Sequence, residues 1–210
     1  MPKRLTTERA RAHWNRFAPR YDRAIASCDR MLKLPDGRWW VTSRARGDVL
    51  EVGAGTGLNF TLYPKDVRLT AIDLSPGMLE RARRRASEIG RDVDIRVADA
   101  HALDFGDASF DTVVFSLSLC SIPDDRRAVA EGVRVLMPGG RMLLLEHVRS
   151  PNRIINAVQW VVEPLSVRFQ ADHLRREPLD HLHAEGMEIE EVQRWSLGVM
   201  EQISARKPSP

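Results

Sequence analysis

From residue 48 onward, short runs rich in β-branched residues alternate with longer segments of helical periodicity. This alternation constrains the fold most, because parallel strands must be joined by crossovers, and those crossovers are usually helices that cover the sheet. Strands are expected at 48–52, 67–73, 93–98, 110–116 and 141–148. Helices fit between them at 58–63, 76–89 and 124–136, the second with Ser75 as N-cap and Pro76 at its first position. The rhythm then breaks: 151–170 is apolar and aromatic, with no conformation assigned, and 177–185 reads as a helix closed by Gly186. Two further strand-like runs, 187–195 and 199–206, joined by a turn at 196–198, would add an antiparallel hairpin. The expected fold is an α/β, doubly wound, seven-stranded sheet, mostly parallel. Ahead of it, Ala10, Trp14, Phe17 and Tyr21 recur at helical spacing, which predicts an amphipathic helix interrupted at Pro19 and a short second helix after Asp22.

A chain of 210 residues fits one domain. Its net charge of +3 is too small to argue for a nucleic-acid partner, although basic residues are concentrated in positions 1–47. No apolar run approaches the roughly 20 residues of a membrane span, and Lys3–Arg4 is not followed by a signal-peptide core, so a cytoplasmic location is expected. The two cysteines, Cys28 and Cys120, make no disulfide framework and no recognisable zinc spacing. Both are read as free thiols, and no metal is expected.

The first strand runs into Glu51-Val-Gly-Ala-Gly-Thr-Gly57, where Gly53, Gly55 and Gly57 let the backbone turn tightly beneath a ligand. A nicotinamide fingerprint would need a sixth-position glycine counted from Gly53, and Leu58 stands there. Asp73 closes the second strand, where a carboxylate can accept from both hydroxyls of a ribose. Asp99, after the third strand, suits the amino group of adenine, which needs an acceptor. Phe110–Val114 leads to Ser116–Cys120, and Leu136-Met-Pro-Gly-Gly140 turns into the fifth strand.

These motifs, in this order, resemble the Rossmann-like methyltransferases that depend on S-adenosylmethionine, from Phe17 to Lys207. The resemblance implies that Gly53, Ala54 and Gly55 approach the methionine part of the cofactor, with Glu51 serving its ammonium group. Asp73 and Leu74 would hold the ribose, and Asp99 and Ala100 the adenine. Ser116 and Leu117 would line the cofactor, and Tyr21 would be an aromatic lid. The methionine carboxylate would meet the glycine loop and the N-terminus of the following helix. The chain would divide into an N-terminal helical lid (1–47), a cofactor-binding core (48–148), an acceptor-side insert (149–175) and a C-terminal helix and hairpin (176–210).

The segments Leu119–Asp124, Leu145–Ser150 and Asp172–Leu174 narrow the resemblance to the branch of thiol methyltransferases and of quinone and phosphatidylethanolamine methylases. Relatives usually carry Gly-Cys where this chain has Ala171–Asp172, a departure on the acceptor side. The donor is already activated, so positioning supplies much of the rate. Where an acceptor arrives protonated, His147 and His173 are the candidate bases. His101 is expected near the adenine, and His181 and His183 at the surface. Ile154, Ile155, Val158, Trp160, Val161, Val162, Leu165, Val167 and Phe169 form an apolar covering suited to a small or lipid-like acceptor such as a thiol, amine or quinol, and they permit peripheral membrane contact. Two rival readings are a nicotinamide-dependent oxidoreductase and a catalytically silent cofactor-binding protein.

Overall fold

A computed structural model describes residues 5–209, apart from the side chain of Cys28. Three helices come first: α1 (Thr7–Phe17), α2 (Tyr21–Met31) and α3 (Leu34–Ser43). Pro19 falls in a single 3-10 turn, Ala18–Arg20, between α1 and α2. Thr6 caps α1 by accepting from the Arg9 N–H. The helix after Asp22 is longer than the sequence suggests, and α3 was not anticipated, because its buried Gly37, Arg38 and Thr42 disguise its periodicity.

The sheet comprises β1 (Asp48–Val52), β2 (Arg68–Asp73), β3 (Asp94–Val97), β4 (Phe110–Ser116), β5 (Leu136–His147), β6 (Glu188–Trp195) and β7 (Met200–Arg206). Their spatial order is β3-β2-β1-β4-β5-β7-β6. The first five strands are parallel, and β7 runs antiparallel to both β5 and β6. The strand order reverses between β1 and β4, so loops leaving their carboxyl ends diverge there and open a crevice. β5 begins earlier than expected, since Leu136 pairs with Phe110 across an irregularity in register.

Helices α4 (Pro76–Glu88), α5 (Asp125–Val135), α6 (Arg153–Gln170) and α7 (Pro178–Ala184) complete the molecule. Ser75 and Asp124 cap α4 and α5 through the N–H groups of Met78 and Arg127. One core layer packs Phe115, Leu119, Val129, Met142 and Leu182 on the α5 side; the other packs Val41, Phe60, Leu79 and Leu143 on the α3 and α4 side. The helix expected at 58–63 is absent: that segment is a succession of turns, held by Phe60 N–H to Gly57 C=O (3.1 Å) and Leu62 N–H to Asn59 C=O (2.8 Å). The unassigned 151–170 stretch forms α6, capped by Asn152. Among the described residues, no helix is long and apolar enough to cross a membrane.

Candidate active site

The crevice between β1 and β4 widens into a cleft. Of the residues singled out in the sequence, Tyr21, Gly53, Gly55, Asp73, Leu74, Asp99, Ala100, His101 and Leu117 line it. Glu51, Ala54, Gly57 and Ser116 do not line it. Glu51, Ala54, Gly57 and Ser116 are buried behind its wall. Ser116 is displaced because Leu117 turns the chain through a positive φ of 56°, so that Ser118, Ser121, Ile122 and Pro123 face the cleft.

The two loops leaving β1 and β4 touch. A Cβ on Gly53 would stand 2.5 Å from the Ser118 Cβ, so glycine is demanded by close approach as well as by φ +75°. Gly55, at φ +57°, has nothing within 4 Å of the same position, because there the backbone faces the open cleft. Asp73 braces this loop: Oδ2 accepts from the Gly55 N–H (2.9 Å) and Oδ1 from the Ser75 N–H (2.8 Å). Each oxygen keeps a lone pair for a hydroxyl donor. Burial pushes the Asp73 carboxyl up to about 6, opposed by those two N–H donors.

Glu51 lies beneath the loop, 1% exposed, and its Oε1 accepts from Asn59 Nδ2 at 2.7 Å. Asn59 Oδ1 in turn accepts from Arg38 Nη1 at 3.2 Å. The other carboxylate oxygen, Oε2, has no hydrogen-bond partner, and burial raises the group to about 7. A free oxygen on a desolvated carboxylate is suited to an ammonium group. With no helix following the glycine loop, a cofactor carboxylate has only the loop's own N–H groups to meet there, and the expected helix terminus is corrected accordingly. Across the cleft, Asp99 Oδ1 accepts from the His101 backbone N–H (2.9 Å) and sits 2.7 Å from His101 Nδ1. His101 Nε2 accepts from the Asp124 N–H at 3.1 Å, which fixes the ring at the rim.

The amino-terminal helices close over this floor. Asn15 Oδ1 accepts from Ser75 Oγ (2.7 Å) and the Gly77 N–H (2.9 Å), and Asp22 accepts from Thr56 Oγ1 (2.6 Å) and Arg85 Nη2 (2.7 Å). Tyr21 packs edge-on against Trp14 and Phe17, with ring centroids 6.0 and 6.1 Å away, while also lining the cleft. Ala10, Trp14 and Met78 line it too; their apolar spacing in sequence carried no sign of that.

On the acceptor side, buried Glu146 accepts from the Ser118 and Leu119 N–H groups at 2.9 and 3.0 Å and so fixes the loop after β4. His147 Nδ1 is 3.8 Å from Asp172 Oδ1, and Cys120 lies beside both. Cys120 is a free thiol, 4% exposed, and burial first, then Asp172 and Glu146, push it well above the usual thiol range. His173 turns instead toward Glu163, with Nδ1 3.6 Å from Oε1, and burial followed by Arg176 lowers its pKa. His147 and His173 thus belong to separate clusters. His183 is exposed as expected, but His181 is not a free surface group: its Nε2 lies 3.0 Å from Asp125 Oδ2, which places it in a cluster with Arg176.

A family model described as a methyltransferase domain matches residues 50–144. The chain is 41% identical to a phosphatidylethanolamine N-methyltransferase of Cereibacter sphaeroides, an alignment covering 54% of this chain and 57% of that one. It is 33% identical to the human thiol S-methyltransferase TMT1A, covering 77% and 68% respectively. It is 34% identical to a demethylmenaquinone methyltransferase of Thermus thermophilus, covering 70% of each. The chain thus spans little more than half the length of the first of these relatives. A structure titled a putative methyltransferase from Bacillus halodurans superposes with a TM-score of 0.70 over 84% of this chain and 99% of its own, at 20% identity, and so shares the fold. Neither the family match nor these relatives support the nicotinamide reading. Sheet order, glycine loop and relatives agree that the chain belongs to the Rossmann-like S-adenosylmethionine-dependent methyltransferases, with S-adenosylmethionine as its cofactor.

Proposed function

We propose that this chain transfers a methyl group to a small or lipid-like apolar acceptor, a thiol, amine or quinol. The observation that carries the reading is the mixed lining of the cleft, where Asp73 and Asp99 share the surface with Ala10, Trp14, Leu117, Ile122 and Pro123. Bound S-adenosylmethionine supplies an activated methyl group for in-line displacement. Asp73 holds the ribose hydroxyls and Asp99 and Ala100 the adenine; Gly53 and Gly55, with Ala54 behind them, leave room for the methionine chain, and Glu51, behind the wall, serves the ammonium group through water. Leu74, Leu117 and Ser118 complete the wall, and Tyr21 on the 1–47 lid excludes water above it. The acceptor gives up its proton on the side of His147 and His173, His147 through the Cys120 and Asp172 cluster. The relatives named above act on phosphatidylethanolamine, thiols and demethylmenaquinone, as their names state, which is why those three acceptor classes are proposed.

The same reading assigns α6 to an apolar phase. Ile154, Trp160, Val161 and Phe169 are each more than 60% exposed, and so is Leu197, whose carbonyl accepts from Ser150 Oγ ahead of the helix start. Arg153 and Arg168 near the helix ends suit the headgroups of an anionic surface. Two experiments test the proposal. Formation of S-adenosylhomocysteine is followed with an aryl thiol, phosphatidylethanolamine and a naphthoquinol; turnover with none of them rejects the acceptor assignment and supports a silent cofactor-binding protein. Co-sedimentation with vesicles containing phosphatidylglycerol should retain the protein, and equal recovery in the supernatant with and without vesicles rejects the surface role of α6.

A further inference from the structure

We propose that Cys120, His147 and Asp172 form a binding site for a divalent ion of the zinc class, and that its open position receives a thiol acceptor. The second half of this statement rests on the methyltransferase reading above; the first does not. The three side chains come from the turn after β4, the end of β5 and the segment after α6, so no spacing in the sequence could betray them. Their sulfur, nitrogen and oxygen donors lie within 4.8 Å of one another. Soft thiolate, imidazole and carboxylate together form the donor set of a three-ligand zinc centre that keeps one position open. Among the described residues, the group contains no fourth ligand.

The spacing of His147 and Asp172 is close to that of two ligands on one cation. His147 Nδ1 and Asp172 Oδ1 are 3.8 Å apart, too far for a hydrogen bond. Ligand atoms on one tetrahedral ion, at bond lengths of about 2.0–2.3 Å, stand roughly 3.3–3.7 Å from each other. Both atoms are buried, and neither has a hydrogen-bond partner. The site also adjoins the donor cleft: Leu117 and Ser118, on the same turn as Cys120, line it.

A thiol at the open position loses its proton to solvent, since His147 as a ligand no longer serves as its base, and is held as a thiolate. Its sulfur lone pair attacks the methyl carbon, forming the new C–S bond. The bond between that carbon and the donor sulfonium breaks, and its electron pair stays on the donor sulfur. The products are a methyl thioether and S-adenosylhomocysteine. The neutral thioether is a weaker ligand and departs.

Co2+ is the probe, added to chelator-stripped full-length protein without cofactor or acceptor. The expected result is one ion per chain, a thiolate-to-cobalt charge-transfer band, and displacement by Zn2+. C120S should abolish the band, and D172N should weaken Co2+ binding by about tenfold or more. Both variants should keep the wild-type affinity for S-adenosylmethionine, which certifies their fold. No band in the wild type, or a band surviving in C120S, overturns the site. Addition of an aryl thiol should then shift the cobalt spectrum where an amine or a quinol does not; an unchanged spectrum overturns the acceptor assignment. A cobalt band in a protein that never turns over would reject the methyltransferase reading while leaving the metal site standing.

Discussion

Helices α4 and α6 obey opposite rules. α4 buries Met78, Leu79, Ala82 and Ala86 and turns Glu80, Arg83 and Arg84 to solvent, as a helix covering a sheet should. α6 buries Gln159 and Ser166 and exposes Ile154, Val158, Trp160, Val161, Leu165 and Phe169. Its attachment is polar. Gln159 Nε2 donates to the Val148 and Leu174 carbonyls at 2.9 Å each, Gln159 Oε1 accepts from the Ser150 N–H at 2.9 Å, and Glu163 lies beside His173 and Arg175. Only Val167 joins an apolar cluster, with Trp14 and Leu74 at the cleft. The contrast teaches that apolar residues hold α4 to the sheet, on the proposed cofactor half, whereas on α6, on the proposed acceptor half, they remain exposed.

The sharpest break of this comparison pairs one substitution from each helix. Leu79→Ala should cost about 2–5 kcal/mol of stability, because a fully buried side chain leaves a cavity against the sheet. Trp160→Ser, removing a larger but 65% exposed side chain, should stay within about 0.5 kcal/mol and abolish vesicle binding instead. Urea melts of both variants decide the matter. A loss above 2 kcal/mol for Trp160→Ser would mean that the apolar face of α6 is structural.

On the cofactor half, Asp73→Ala should weaken S-adenosylmethionine binding by about 1–3 kcal/mol by removing a charge-assisted acceptor of two hydroxyls. Gly55→Val should weaken it further, since its side chain would enter open cleft at a φ that β-branched residues resist. Calorimetry on folded protein is the check, and unchanged affinity in Asp73→Ala would remove the central cofactor contact.

Gln159→Ala tests the polar attachment of α6. It leaves the Ser150 N–H and two carbonyls without their side-chain partner, at an expected cost of about 1–3 kcal/mol. Because the loss is local, hydrogen exchange should rise in α6 before it rises in the sheet. Uniform exchange across the domain would show that α6 is part of the central cooperative unit.

How much of this was readable in the sequence follows the same divide. The cofactor half was legible because backbone geometry and residue type coincide there: Gly53 and Gly55 need positive φ, and Asp73 and Asp99 must sit at strand ends. β4 fell on its expected bounds, and α4 nearly so, because Ser75 and Pro76 mark its start. The turns at 58–63 defeated the helix expectation, since Asn59 is recruited to Glu51 and Phe60 fills the space over Gly57. The acceptor half was illegible for a different reason. An apolar sequence in 151–170 implied core or cover, and tertiary hydrogen bonds to Gln159 reversed the helix's facing. His147 stood out in the sequence by its place after the fifth strand, but Cys120 and Asp172 meet it only through folding.

The smallest expected effect separates the two halves by pH. Asp73 on the cofactor half has a carboxyl raised to about 6 by burial, whereas the buried stripe of α6, Gln159 and Ser166, does not ionise. If, as proposed, the ribose hydroxyls donate to ionised Asp73, cofactor affinity should fall as pH drops through about 6, by roughly fourfold at pH 5.5 relative to pH 8. Stability of the cofactor-free protein should move the other way. A carboxyl whose folded pKa exceeds its unfolded value binds more protons when folded; its contribution is fully present below the unfolded value and lost as pH rises through about 6. Glu51, raised to about 7, acts in the same direction. Melting temperature without cofactor should therefore be higher at pH 5.5 than at pH 8, and saturating S-adenosylmethionine should narrow that difference. In D73N the component of the affinity change due to this residue disappears. If affinity in the wild type were flat between pH 5.5 and 8, Asp73 would already be ionised without its ligand, and its burial beneath the glycine loop would not set the pH range of binding.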